Sequence, residues 1–341
     1  MRVNAGSAAI LASCLLPFTT AAGAARPADP TLLSVSDAGK LTLVNARTGR
    51  IRHFASAYQA TWSPDGKRIA FAGRAGGGWG DLFVIEADGS HLRRLTHSDD
   101  IEEHDPVWSS DGKRLAYFAQ DQALSQDDLI VLSLSTGVSA SVVRGPPLKS
   151  GLEWSPDGRK FAFATSWAAG HGVQVIDASS GEAVDAWLGQ KYPVWSPDGS
   201  SVAFVFTENE QTRLVVAKRD GSGARVLYRG EKDIGVGDIA WSPNGHTLAF
   251  RHGALSVNWS QIMVVDTGTG RARPLTSRRG HADGSPSFSE DGNRIAFGRM
   301  KFGLQPRVPR LALVPSRGGA VHVYLGARTS WAAPLWRPRA H

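Results

Sequence analysis

The sequence predicts an all-β protein in which one four-stranded unit is repeated around a ring. Three observations predict it: a five-residue phrase that returns at a near-fixed period, an alternating apolar run behind every copy, and a glycine turn further along every unit. The phrase reads Trp62-Ser63-Pro64-Asp65-Gly66, Trp108-Ser109-Ser110-Asp111-Gly112, Trp154-Ser155-Pro156-Asp157-Gly158, Trp195-Ser196-Pro197-Asp198-Gly199, Trp241-Ser242-Pro243-Asn244-Gly245 and Phe288-Ser289-Glu290-Asp291-Gly292. Its anchors stand 46, 46, 41, 46 and 47 residues apart.

Each unit can be justified in chain order. A first strand ends in the Trp. Ser-Pro-Asp-Gly then fits a tight turn, because Pro presets φ, Ser and Asp bond the local backbone, and Gly takes the strained site. A second strand follows, as in Arg68-Ile69-Ala70-Phe71 and Lys160-Phe161-Ala162-Phe163, where period-two alternation of apolar residues argues against a helix. Two outer strands complete the unit, for example 81–86 and 91–95, around turns ending at Gly49, Gly89, Gly137, Gly181, Gly221, Gly270 and Gly318.

These are seven turns against six phrases. The N-terminal unit, 31–54, has three strands and no phrase, while Pro334-Leu335-Trp336 is an unpaired first strand that copies Pro106 to Trp108. The economical reading is a seven-bladed β-propeller in which the C-terminal strand completes the N-terminal blade, with Trp336 as the seventh anchor; six blades is the alternative count. Closure from both chain ends removes exposed sheet edges. Residues 31–341 then form one domain, expected to be a monomer.

The repeats resemble the WD40-like repeats of the TolB-type propellers of bacterial envelope proteins, across 31–341. The family's namesake carries an α/β domain ahead of a six-bladed propeller; here the repeats follow the N-terminal leader directly. The resemblance implies a fold and does not imply an activity.

Residues 1–25 read as a signal peptide: Arg2 is a positive start, Ala8 to Leu16 is apolar, and Ala22-Gly23-Ala24 suits signal peptidase. Export to the periplasm or beyond is therefore expected, with no transmembrane segment after leader removal. Leu11-Ala12-Ser13-Cys14 also resembles a lipobox, so lipid anchoring at Cys14 is the alternative. Cys14 is the only cysteine, so a mature chain cut after the leader has no disulfide. The net charge is +7, but 271–341 holds 13 Lys/Arg against 3 Asp/Glu, which makes one sector of the ring basic and open to an anionic partner. Nucleic acid is not expected, since an exported chain without stacking motifs lacks its signature.

No G-x-S-x-G, H-E-x-x-H, C-x-x-C, Walker A or dinucleotide motif occurs. The repeat residues Asp65, Asp111, Asp157, Asp198 and Asp291 read as turn caps, and the Trp side chains as packing between blades. Function is then expected on the opposite face, where loops vary. Loops leading to the first strands offer Glu102, Glu103, His104, Tyr192, Arg278, His281 and Arg328; loops between middle strands offer Trp79, Trp167 and Trp259. Aromatics beside a charged mouth suit a protein or glycan partner from the envelope. The expectation is an exported, non-catalytic binding protein without a cofactor. The alternative is a channel-based polysaccharide lyase or hydrolase with a metal held by Glu102, His104 and His281.

Overall fold

The structure, a computed structural model, describes residues 31–338 apart from 37–38, 75–79, 99, 122, 125, 146–148, 168–169, 188–190, 233, 255–258, 278–279, 303–307 and 330–332. The expected leader, with Cys14, lies outside the described residues. Every regular element among the described residues is a strand, as the all-β propeller expectation requires, and no helix among them is long and apolar enough to cross a membrane.

The strands sort into seven four-stranded units, here called blades, all antiparallel within themselves. Five are separate sheets, and the blades of 236–274 and 281–328 share one sheet through a single parallel pair, Ser260 with Ala282. Blade one consists of Thr31–Val35, Lys40–Asn45 and Ile51–Ser56 with Leu335–Trp336 as its inner strand. Leu32 pairs with Trp336 and Leu33 with Leu335. The inner strands of blades two to seven are Gln59–Trp62, Ile101–Trp108, Lys149–Trp154, Lys191–Trp195, Val236–Trp241 and His281–Phe288.

The core is not one body but a ring of seams. Residues from blades one and two form a cluster around Leu33, Trp62 and Phe71; further clusters join two to three, three to four, four to five, five to six, six to seven and seven back to one. The second strand of a blade faces two seams at once. Ile69 and Phe71 point to the seam with blade one, while Ala70, on the other side of the pleat, faces Trp108 of blade three. The same partnership recurs as Ala116 with Trp154, Ala162 with Trp195, Ala203 with Trp241, Ala249 with Phe288 and Ala296 with Trp336. The Ala is small because the indole of the next blade needs its space.

The Ser-Pro-Asp-Gly turn is a closed hydrogen-bond circuit. In blade two the Ser63 hydroxyl donates to Asp65 Oδ1 at 2.6 Å and accepts from the Arg68 N–H at 2.9 Å, while Lys67 N–H donates to Asp65 Oδ1 at 3.0 Å and Gly66 N–H to the Ser63 carbonyl at 2.8 Å. Ser109, Ser155, Ser196 and Ser289 repeat the circuit, and in blade six Asn244 Oδ1 accepts from the Ser242 hydroxyl at 2.7 Å. The Ser hydroxyl is the main cause that holds Asp111, Asp157, Asp198 and Asp291 below the usual carboxylate range. Gly66 has φ +64°, and a Cβ there would collide with the Pro338 carbonyl.

The closing segment is fastened on both sides. Trp336 Nε1 donates to the Ser287 carbonyl of blade seven at 3.2 Å, and Trp62 Nε1 of blade two donates to the Leu335 carbonyl at 3.2 Å. Arg337 lies over the Trp62 ring at 5.6 Å and donates from Nε to the Gly66 carbonyl at 2.7 Å. Trp336→Ala is therefore expected to lower unfolding stability by about 3 kcal/mol, as loss of a packed aromatic does, and Arg337→Ala by about 1 kcal/mol. Urea denaturation measures both, and an unchanged midpoint for Trp336→Ala would show that the ring is not latched there.

Candidate functional site

The inner strands of blades three to seven each carry a register shift: between His104 and Val107, Ser150 and Glu153, Lys191 and Val194, Gly237 and Ala240, and Gly284 and Ser287. At the shift, three residues before the Trp or Phe anchor, the backbone turns left-handed: φ is +51° at Asp105, +64° at Gly151, +49° at Asp238 and +54° at Ser285. Non-glycine residues adopt this region at a cost of about 1 kcal/mol, offset here by bonds to the neighbouring blade. Asp105 N–H donates to Gln59 Oε1 at 2.7 Å, and Gln59 Nε2 donates back to Asp105 Oδ1. Asp105 Oδ2 in turn accepts from the Gly151 N–H of blade four at 3.1 Å, and Asp238 Oδ2 accepts from the Ser285 N–H of blade seven at 3.2 Å. Side chain to next-blade N–H is thus a repeated stitch around the lumen.

Beside the stitch in blades two to four lies a cavity of about 410 Å³, lined by the inner strands of these blades and by Ala333 and Leu335. Asp105 and Glu153 are the carboxylates of its wall. Glu153 is half-buried and lines this cavity; burial raises its carboxyl to about 7, and the Asp105 charge adds to the shift.

His104 backs onto this wall. Its Nδ1 lies 3.9 Å from Asp105 Oδ2 and its Nε2 3.8 Å from Asp127 Oδ1, with the ring against Phe118 at 5.5 Å. Burial alone would lower its pKa, but the two carboxylates outweigh it and raise the imidazole to about 9. The raised value favours the imidazolium form at neutral pH. On the other face of the strand Glu103 is 2% exposed, accepts from the Ser98 hydroxyl at 2.8 Å, and is raised to about 7 by burial, against the Ser98 bond and with help from Asp81. Tyr58 donates to the Glu103 carbonyl at 3.1 Å, and burial moves its hydroxyl well above the usual range.

The sequence-predicted residues are only partly brought together. Glu102, Glu103 and His104 belong to the inner strand Ile101–Trp108, not to a loop: the alternation simply continues upstream of the bulge. His281 opens the inner strand of blade seven, with at least two blades between it and His104 on either side, and no group of three His, Cys, Asp or Glu suited to a metal occurs among the described residues. Trp259 packs edge-on against buried His252 at 5.8 Å instead of forming an open platform. Arg328 ends the outermost strand of blade seven and is exposed. Trp79 and Arg278 lie outside the described residues, as do the side chains of Trp167 and Tyr192.

Sequence reasoning missed Asp127 and the buried carboxylate–guanidinium pairs. Asp283 Oδ1 and Oδ2 accept from Arg299 Nε and Nη2 at 2.7 and 2.6 Å, Asp81 accepts from Arg94 at 2.9 Å, and Asp238 from Arg251 at 2.8 Å. A signal for Asp127 exists: it shares the buried face of its strand with Leu129.

The sequence profile of the TolB beta propeller domain matches residues 104–339. The chain belongs to the TolB propeller family. Among curated proteins this TolB propeller is 27% identical over 224 residues to the uncharacterized peptidase YuxL of Bacillus subtilis, covering 60% of the chain and 31% of that protein. It is 28% identical over 152 residues to dipeptidyl-peptidase 5 of Porphyromonas gingivalis, covering 38% of the chain and 22% of that protein. The chain thus spans a third or less of these relatives. A solved puromycin-hydrolyzing peptidase of Mycobacterium tuberculosis has the same fold, with a TM-score of 0.66 at 15% identity, over 88% of this chain and 53% of that one. The expectation of a non-catalytic binding protein is corrected by this kinship: the proteins that share its sequence repeats are named as peptidases. Its sequence-level reason, the missing catalytic motif, speaks only about the repeats, which match a part of each relative.

The site has a defined pH response. Glu103 has a folded-state pKa above its ordinary value of 4.5, so its contribution to stability is complete below about 4.5 and is lost as pH rises through about 7. His104, raised from 6.5, contributes fully below about 6.5 and loses its contribution as pH rises through about 9. Unfolding midpoints should fall from pH 5 to pH 9, with Glu103→Gln removing the acidic limb. NMR titration should place the His104 midpoint near 9, and Asp127→Asn should move it back toward neutrality; an unmoved midpoint would exclude Asp127 as its partner.

Proposed function

We propose that this chain serves peptide hydrolysis, as the propeller portion of a peptidase whose substrate meets the channel wall of blades two to four. The observation that carries the reading is that two curated relatives, alike in sequence and not only in fold, are named as peptidases. The geometry supports it. A peptide presents a cationic amino end, and the cavity of about 410 Å³ offers it Asp105 and Glu153 against an otherwise apolar wall of Trp62, Trp108 and Trp154. Asp105 is fixed by Gln59 and Gly151, so the acceptor is already oriented before substrate arrives. Glu153, with its carboxyl at about 7, changes charge near neutrality and can take or return a proton from the bound amine. His104 and Asp127 do not line the cavity; the His104 ring stands behind Asp105, with Nδ1 3.9 Å from its Oδ2 and Nε2 3.8 Å from Asp127 Oδ1, and is a positioning residue. The repeats supply no nucleophile of the G-x-S-x-G kind, and in this reading the attacking group lies outside them.

An exported location, periplasmic or secreted, belongs to the same reading and rests on the leader pattern of 1–25. The test is turnover of dipeptidyl anilides and of their N-acetylated counterparts by the full chain, purified alone and in the complex it is isolated in. The free-amine substrates should be preferred, and Glu153→Gln should raise KM about tenfold, the loss of one charge-assisted contact, with the fold intact by circular dichroism. Absence of peptidase turnover in both preparations, or equal use of acetylated substrates, would remove the reading.

A further inference from the structure

The seam between the last blade and the first differs from three of the others in a way that leaves positive charge unspent. In other seams an arginine of the outer strand crosses to the carbonyls of the next blade's outer turn. Arg52 donates to the Ala87 carbonyl at 3.1 Å, Arg273 to the Ser316 carbonyl at 3.0 Å, and Arg225 to the Gly268 carbonyl at 3.2 Å and also to that of Thr267. These arginines share one register position: Arg52 pairs with Leu43, Arg225 with Val216 and Arg273 with Val264. In blade seven the same position, opposite Leu313, is His322. Its ring is too short to reach across, and Tyr324, two residues on, makes the crossing instead, donating to the Ala46 carbonyl at 2.7 Å. The imidazole lies edge-on to the Tyr324 ring at 4.6 Å.

A groove of about 490 Å³ lies here, with Leu313, Val314, Pro315 and Ala320 among its apolar walls. Two guanidinium groups, Arg47 and Arg294, line it beside His322. Arg294 occupies the repeat position of Arg68 and Arg114, which lie over Trp108 and Trp154 at 4.7 and 5.0 Å; among the described residues Arg294 makes no such stack and no salt bridge, and neither does Arg47. The nearby carboxylate of Asp291 is already committed to the Ser289 hydroxyl and the Asn293 N–H of its own turn. By contrast, the groove of about 480 Å³ between blades five and six is lined by Arg225, whose guanidinium is spent on backbone carbonyls.

We propose that the groove between blades seven and one binds a small organic oxyanion, a carboxylate or phosphate group held by Arg47 and Arg294 with its apolar body on Leu313 and Pro315. Two arginine forks on an apolar floor match a planar or tetrahedral oxyanion attached to a hydrocarbon body. Because the ligand would span the first and last blades, its binding is linked to closure of the ring.

Isothermal titration of the full chain with phenyl phosphate, phenylacetate and neutral benzyl alcohol tests this without reference to any enzymatic activity. At least one anion should bind and raise the melting temperature, the tighter of the two naming the group recognised, and benzyl alcohol should not bind. Arg47→Ala and Arg294→Ala should each weaken the anion about tenfold, the loss of one charge-assisted contact, while Arg294→Lys recovers only part of the affinity, since it restores charge without the fork. Arg47 sits in an exposed hairpin turn held by Asn45, so its variant keeps the fold. Failure of both anions to bind, or binding that survives both alanine substitutions unchanged, overturns the proposal.

Discussion

Everything in this ring depends on an indole lying over an alanine. The second strand of blades two to seven is buried on both faces, and it can be so because one face is kept low. Ala70, Ala116, Ala162, Ala203 and Ala296 leave a shallow trough into which the anchoring Trp of the next blade fits. A larger residue at the alanine would overpack the seam, and a smaller one at the Trp would leave a cavity; both cost kilocalories in a close-packed interior. The contact is made in five of the seven seams, always in the same direction; Phe288 replaces the indole over Ala249, and at the closing blade Leu33 replaces the alanine beneath Trp62.

The same step explains why the channel wall is rich in fixed carboxylates. Rotating one four-stranded sheet against the next brings inner strands together near the axis, where there is little room for side chains and none for unpaired backbone. The bulge before the anchors of blades three to seven relieves the crowding, and in blades three, four and seven it turns an N–H towards the preceding blade. An acceptor three residues ahead of the preceding anchor, Gln59, Asp105 or Asp238, then closes the bond. Polar residues at this depth are therefore structural first. Function draws on what the stitch leaves over, a neighbour such as Glu153 whose carboxyl is raised by burial and by the Asp105 charge.

Much of the architecture was legible in the amino acids. The hairpins, the glycine turns and the role of Trp336 follow from period and composition, because turn chemistry and strand alternation are local. Both halves of the indole–alanine contact were also visible, as a phrase and as an apolar run, but their partnership was not, since it joins residues in different blades. The site was harder still. Glu102, Glu103 and His104 read as a loop because a bulge interrupts the two-residue period that marks a strand, and the crossing arginines of the outer strands look like ordinary surface charge until register is known. Kinship with peptidases left no mark that residue chemistry alone could decode, since the repeats carry no nucleophile motif.

The pairing of Leu32 and Leu33 with Trp336 and Leu335 has a bearing on how the chain reaches its native state. Blade one lacks its inner strand until a segment some three hundred residues later has been made, so the nascent ring carries an open edge beside two leucines throughout synthesis. Joining ends that far apart costs about 5 kcal/mol of loop entropy, which a two-residue strand recovers only with the help of the Trp336 and Arg337 contacts. Folding is thereby deferred: six blades can stack in sequence as they appear, but the cooperative, edge-free state is available only at the end. A chain built this way remains unlatched until its last residues are made and acquires its resistance to opening in a single late event.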